Sequence, residues 1–213
     1  MKKYFLFIVI LLLISISKIT YSQVAQCFPG FISNFIFANY PIPNYGDCNV
    51  LIEYCCKWDP VNKRVDAYFN GFNAYSSCML YITDWDIFMK WINAQIAASD
   101  FCYEYFPPCD EPEAGWITKV VHIAQCNYFE NKLPPAPGEN EYFLHLYPCG
   151  YGNECIYYYR TCYDWQIHDW VTEFDHSEIV GTPDCPLTVP ELPPQGKTWN
   201  EYWITRCFAK QCE

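Results

Sequence analysis

One cysteine spacing occurs twice in this chain of 213 residues. In Gly46–Trp58 two cysteines stand seven residues apart and a tryptophan follows the second by three, and Gly152–Trp165 repeats this spacing. A third cysteine follows the first by thirty residues in each copy, so one offset of 107 residues relates the two sets. The matched pairs are Cys48 and Cys155, Cys55 and Cys162, Trp58 and Trp165, and Cys78 and Cys185. The repetition predicts an internal duplication.

The first residues have the pattern of a secretory signal peptide, which we place at Met1–Ser22. Two lysines precede an unbroken apolar run at Phe5–Ile14 that is too short to span a bilayer. Cleavage would leave Gln23 as the mature start. A lipoprotein would instead be acylated at Cys27, but Gln26 is a poor match for the small residue that such sites need.

All 14 cysteines follow the predicted leader, and their number is even. In an exported chain this indicates a disulfide framework formed in an oxidising compartment, so we expect a secreted, cell-surface or periplasmic protein. The alternative is a zinc site. However, the chain has no pair of CxxC motifs and its four histidines are not set among the cysteines at ligand spacing, so we predict no metal and no cofactor.

The charge balance is strongly acidic. Without the leader, 10 basic residues face 24 acidic ones, a net charge of −14. Nucleic acids and anionic membrane surfaces are therefore disfavoured as partners. The expected partner is a protein or a glycan at a cell surface or in the extracellular space, and the mature chain is not expected to span a membrane.

The cysteines divide evenly between two halves, which predicts two tandem disulfide-stapled domains. The first is residues 23–109 and the second is residues 116–213, with an acidic linker at 110–115. Alignment of the halves matches six cysteines with six and leaves Cys56 and Cys149 over. The predicted fold class is mainly β with one or two short helices.

Strands are predicted from β-branched and aromatic residues in alternating patterns. Val50–Trp58 and Arg64–Phe69 are the first pair, and Asn70-Gly71 is a strong hairpin-turn signal after them. Further strands are expected at 116–125, 141–147, 156–165 and 166–174.

One helix is predicted from a cap at Thr83 to about Ala98, because apolar residues recur at helical spacing after the cap. Thr198 and Glu201 form a similar capping pattern, and only a short helix fits there before Cys207.

The two cysteines left over predict a bridge from Cys56 to Cys149 that would hold the domains together. Adjacent residues of a strand face opposite sides, so Cys55 can serve the repeated framework while Cys56 faces elsewhere. The alternatives are pairing between molecules and a different framework within each domain.

Three aromatic residues are candidates for stacking on sugar rings. Trp58 and Trp165 are equivalent in the repeat, and Tyr158 lies in a run of three tyrosines that must use both faces of its strand. The alternative is that the tryptophans pack on the neighbouring disulfides.

A second-half cluster of acidic residues and histidines is the candidate for catalysis. Carboxylates beside histidines can act as acid and base in glycan hydrolysis. The first half lacks these residues, so a solvated acidic strand is the alternative interpretation. The cluster is Asp164, His168, Asp169, Glu173 and His176.

The two halves share cysteines and core aromatics rather than polar residues, which is the pattern of a repeated scaffold. We therefore expect a secreted, non-enzymatic, cysteine-rich protein that can form oligomers. Its expected role is adhesion, extracellular or surface assembly, or recognition of a protein or glycan. The alternative is a secreted glycan-directed hydrolase with its site in the second repeat.

Overall fold

A long antiparallel hairpin of β2 (Gly46–Asp59) and β3 (Arg64–Tyr75) forms the middle of the fold. The computed structural model describes residues 27–100, 102–105, 107–110, 115–133, 141–210 and 212, so the predicted leader lies outside the described residues. The Asp59 carboxylate accepts hydrogen bonds from the backbone amides of Val61, at 2.9 Å, and Asn62, at 3.2 Å. This side-chain capping closes the turn between the strands.

The predicted turn at Asn70-Gly71 is wrong, because both residues lie inside β3 at a β-bulge opposite Glu53 and Tyr54. Gly71 is needed there for a reason of space. Its φ is +143°, and a Cβ atom would lie 2.5 Å from the carbonyl oxygen of Leu146 on a neighbouring strand. The glycine therefore permits close strand approach rather than a reversal of the chain.

A second hairpin, β7 (Glu154–Asp164) with β8 (Asp169–Val180), uses the same turn chemistry. The Asp164 carboxylate accepts from the amide of Gln166 at 2.8 Å, and His168 has a φ of +55°, as Lys63 has +47° in the first hairpin. Both hairpins also carry one bulge. The matching turn residues are 105 positions apart, whereas the cysteines are 107 apart, so cysteines and hairpins do not follow one repeat.

The disulfide connectivity also differs between the halves. Cys48 pairs with Cys78, but Cys155 pairs with Cys212, and Cys185 pairs with Cys126. The tandem duplication is therefore not confirmed, although the β-rich class with two helices is. All fourteen cysteines are bridged, as Cys27–Cys55, Cys48–Cys78, Cys56–Cys102, Cys109–Cys162, Cys126–Cys185, Cys149–Cys207 and Cys155–Cys212.

The predicted Cys56–Cys149 bridge is wrong. Cys55 and Cys56 do use opposite faces of β2, but both find partners in the first half, Cys27 and Cys102. Cys102 comes within reach because it follows a helix that packs over the Cys56 face of the sheet. The bridge that does connect the halves is Cys109–Cys162.

The strands form one ten-stranded sheet in which β3 is the branch point. One edge of β3 pairs with β2, which in turn pairs with β1 (Ile32–Ile42). Its other edge pairs with β4 (Ile117–Ala124), in parallel, and further along with β6 (Phe143–Pro148). The two predicted domains are thus joined by backbone pairing across the predicted boundary.

The remaining strands extend the two branches. β4 pairs with β7, which makes β8 an edge of the sheet, and β6 pairs with β5 (Cys126–Lys132). Two short strands, β9 (Trp203–Ile204) and β10 (Phe208–Ala209), add to β5. The strands predicted at 116–125 and 141–147 correspond to β4 and β6, while β1 and β5 were not predicted.

Two helices follow β3, α1 (Ser76–Met79) and α2 (Trp85–Ala98). Asp84, one residue after the predicted cap, caps α2 by accepting hydrogen bonds from the amides of Asp86 and Ile87, both at 3.0 Å. The apolar face of α2 covers one face of the sheet, where Phe88 contacts Tyr40 and Phe72. Residues of both halves meet in this core.

The helix predicted after Thr198 does not form. The Thr198 amide donates to the Glu201 carboxylate at 2.7 Å, as in a helix cap, but the chain then extends into β9. Trp203 is buried there, and backbone pairing of β9 with β5 replaces the helical bonds.

Candidate functional site

The sheet face opposite α2, which we call the open face, carries a buried charged network. His122 lies between two carboxylates, with Nδ1 2.8 Å from Glu154 Oε2 and Nε2 3.3 Å from Asp66 Oδ1. Its ring stacks on Tyr68 at 4.0 Å. Arg64 donates through Nε to Asp66 at 2.9 Å.

This arrangement favours a protonated imidazole that donates from both nitrogens. Burial alone would lower the pKa of His122, but hydrogen bonds and attraction from Asp66 and Glu154 raise it above its ordinary value. Burial alone would raise the pKa of Asp66, but hydrogen bonds from His122 and Arg64 lower it.

Phe28 and Phe31, which lie just before β1, cover this network. Phe28 contacts Tyr68 at 5.3 Å and Tyr151 at 5.0 Å, and Phe31 contacts Tyr68 at 5.2 Å. The Cys27–Cys55 bridge fixes the segment that precedes β1 to β2. With 7% of its side chain exposed, His122 is largely shielded from solvent, which favours a structural role for the network.

A second polar group lies on β5 and β6. Lys132 Nζ donates to Glu130 at 3.0 Å and to the Tyr147 hydroxyl at 3.2 Å, and that hydroxyl lies 3.1 Å from His145 Nδ1. Burial, and then repulsion from Lys132, lower the pKa of His145 to about 3. The His145 imidazole is thus neutral, and it shares one hydrogen bond with the tyrosine hydroxyl.

The structure brings together only part of the predicted catalytic cluster. Asp164, His168 and Asp169 lie at the β7–β8 turn, where Asp164 caps the turn and Asp169 accepts from the amide of Trp170 at 2.8 Å. Glu173 lies further along β8, opposite Arg160.

His176 lies away from the turn. It stacks on Tyr158 at 4.3 Å and its Nδ1 is 3.1 Å from Asp175. His176 follows Asp169 by seven positions of an extended strand, a distance of roughly 20 Å. The five residues therefore do not converge on one site, although Asp164 and Asp169 face each other across the β7–β8 hairpin.

The three candidate stacking aromatics are in different environments. Trp58 packs against the core, and Tyr158 lies on the open face with its hydroxyl 3.1 Å from Glu178. Trp165 is 56% exposed at the β7–β8 turn, where Tyr163 supports it edge-on at 4.7 Å.

The two long edges of the sheet have opposite character. β1 contains no charged residue, and it exposes Phe35 and Phe37, whose rings lie 5.5 Å apart. β8 carries acidic residues and a bulge, which are devices that block pairing of an exposed edge. The sequence patterns did not predict β1. The feature that could have indicated it is the absence of charged residues throughout residues 28–46.

Comparison of the chain with protein-family models, curated proteins and solved structures found no match. Within the described ranges, no group of three or more histidine, cysteine, aspartate or glutamate side chains is arranged to hold a metal ion. No helix in the described part of the chain is long and apolar enough to cross a membrane.

Proposed function

We propose that this is a secreted, non-enzymatic assembly protein whose copies associate through β1. Its seven disulfides indicate a cysteine-rich protein of an oxidising, extracellular compartment. The observation that carries the proposal is the character of β1, an eleven-residue uncharged edge strand on which Phe37 is 75% exposed and Phe35 57% exposed. Long, apolar, unprotected edges are templates for pairing with another chain.

The charge distribution favours a second copy at β1 rather than elsewhere. The predicted mature chain has a net charge of −14, so two copies repel each other over most of their surfaces. Pairing of two β8 edges would oppose acidic residues such as Glu173 and Glu178. Two β1 strands meet without charge, and among the described residues only β2 pairs with β1.

The sequence of β1 also allows favourable pairing with a second copy of itself. Full antiparallel pairing of two Ile32–Ile42 strands about a twofold axis places Phe37 opposite Phe37, with Phe35 opposite Asn39 on the same face. Aromatic cross-strand pairs stabilise such contacts by about 0.2–1 kcal/mol each. Pro41 lacks an amide proton but lies at the end of the strand, so it removes little of the ladder.

A contact of one strand on each copy is small, so we expect association that depends on concentration and becomes strong where many copies are displayed together. A twofold β1 contact closes as a dimer, so it would link copies in pairs where they are displayed at a surface.

Sedimentation velocity of the oxidised mature protein over a range of concentrations tests the proposal. The wild type should shift from monomer to dimer as concentration rises, whereas Phe37→Lys should remain monomeric. Val61→Lys is the control, because Val61 is 88% exposed in the β2–β3 turn, away from β1. A wild type that stays monomeric at every concentration, or a Phe37→Lys variant that associates equally well, would refute the assembly function.

A glycan-binding role is a second candidate, favoured by the exposed Trp165 at the β7–β8 turn. An aromatic ring that protrudes beside turn carboxylates suits stacking on a sugar. Retention on immobilised polysaccharides that is lost in Trp165→Ala but kept in Val61→Ala would support this role. Equal retention of both variants, or no retention of the wild type, would exclude it.

A further inference from the structure

A cavity of about 280 Å³ lies between the first turns of α2, strands β5, β6 and β10, and the chain that follows Cys185. Four of the residues that line it are apolar and buried, namely Met89, Phe129, Leu146 and Phe208. The Phe129 ring stacks on Phe208 at 5.1 Å. This composition is typical of a small-molecule site.

One polar residue in the lining is incompletely satisfied. Asn127 is 1% exposed and lines the cavity. Its Nδ2 donates to the Ala124 carbonyl at 2.8 Å, but its Oδ1 makes no hydrogen bond to any described residue. Buried amide oxygens without partners are uncommon in folded proteins, and each requires an explanation. A ligand that supplies a donor is such an explanation.

The more exposed part of the lining, which we call the mouth, combines aliphatic side chains with two charged residues, Asp86 and Lys210. Leu187 is 62% exposed and Val189 45% exposed, both on the irregular segment that the Cys126–Cys185 bridge anchors. The Ala209 amide donates to the Pro186 carbonyl at 2.6 Å, which ties this segment to β10. Two exposed aliphatic side chains at an entrance would become buried against a bound apolar molecule.

We propose that this cavity binds a small, mainly apolar molecule that carries one hydrogen-bond donor, with Asn127 accepting that hydrogen bond. A cavity of about 150 Å³ holds benzene, so the volume here suits a compact ligand of about ten non-hydrogen atoms, such as a bicyclic aromatic amine or alcohol. The site lies on the α2 side of the sheet and does not involve β1, so it is independent of the proposed assembly function.

The first test uses indole as the probe and N-methylindole as its matched analogue without a donor. Isothermal titration should show one saturable indole site per chain, and N-methylindole should bind about ten-fold more weakly or worse, because it leaves the Asn127 oxygen unpaired. Absence of saturable binding of either probe overturns the site. Equal affinity for the two probes overturns the role of the donor.

Variants connect the binding to this cavity. Val189→Trp should fill the mouth and weaken indole binding about ten-fold or more, while the control Val61→Trp should leave it unchanged. Asn127→Leu should abolish the preference for indole over N-methylindole, a ratio that remains readable if the variant is less stable. Unchanged binding in Val189→Trp, or an unchanged ratio in Asn127→Leu, contradicts the proposal.

All titrations are repeated in the Phe37→Lys background. Loss of ligand binding in the cavity is thereby distinguished from loss of association through β1.

Discussion

Replacement of Lys119 by methionine should stabilise the protein at neutral pH. Lys119 lies on the α2 face of β4 and is 0% exposed. Its Nζ donates to the Ser99 carbonyl at 2.5 Å and to the Ser99 hydroxyl at 2.8 Å, at the C-terminus of α2, and lies 5.0 Å from the Tyr103 ring centroid. Burial lowers its pKa to about 7, against a weaker opposing attraction from Asp100.

The size of the effect follows from this pKa. The unfolded chain keeps the lysine proton up to pH 10.5, whereas the folded protein releases it near pH 7. Between these values the unfolded state binds more protons, so this group makes stability rise with pH by about 1.4 kcal/mol per unit. Its burial therefore costs about 4 kcal/mol at pH 7 and about 2 kcal/mol at pH 9.

The methionine variant loses that cost but leaves the Ser99 carbonyl without a partner, so we expect a net gain of about 1–4 kcal/mol at pH 7. The gain should shrink by about 2 kcal/mol at pH 9. Urea unfolding under non-reducing conditions, followed by tryptophan fluorescence, measures both. Lys57→Met, at an exposed lysine, is the control. A difference between wild type and Lys119→Met that is equal at pH 7 and pH 9 would refute this reasoning.

Three further predictions concern stability. Cys109→Ser with Cys162→Ser opens a loop with a sequence separation of 53 residues and should cost about 4 kcal/mol in the same unfolding assay; a loss below about 1 kcal/mol would show that the bridge is not needed to hold the halves together. Gly71→Ala should cost about 1–3 kcal/mol more than Gly152→Ala, because both glycines have positive φ but only Gly71 faces the Leu146 carbonyl; equal losses would contradict the close strand approach. His122→Gln should remove a pH-dependent contribution to the free energy of unfolding. The pKa of His122 is raised, so its contribution is complete below about pH 6.5, and the pKa of Asp66 is lowered, so its contribution is complete above about pH 4. The wild type should therefore exceed the variant in stability most between these pH values, and the difference should fall as pH rises above about 6.5. An advantage that grows with pH would contradict the arrangement.

Local patterns predicted most elements of the fold. The alternation in Val50–Trp58 identified β2, and the helical spacing after Thr83 identified α2 to within two residues. Both elements were predictable because alternation and helical spacing depend only on residues that are close in sequence. The opposite orientation of Cys55 and Cys56 was predictable for the same reason.

Contacts between distant residues were not predictable. The Asn70-Gly71 signal predicted a turn because nothing in the sequence shows that β6 passes close to Gly71. The partner of Cys56 depends on how α2 and its following loop fold back over the sheet. The candidate catalytic residues looked close in sequence, but an extended strand separates His176 from the turn residues.

Hydrogen exchange in β1 tests the central proposal most directly. The outward amides of Ile32–Ile42 have no partner strand in the described monomer, so they should exchange rapidly in dilute protein and become protected as concentration rises. Amides of β8, the acidic edge, should exchange at the same rate at every concentration. Protection of β1 that does not change with concentration, or protection that appears at β8 instead, would contradict assembly through β1.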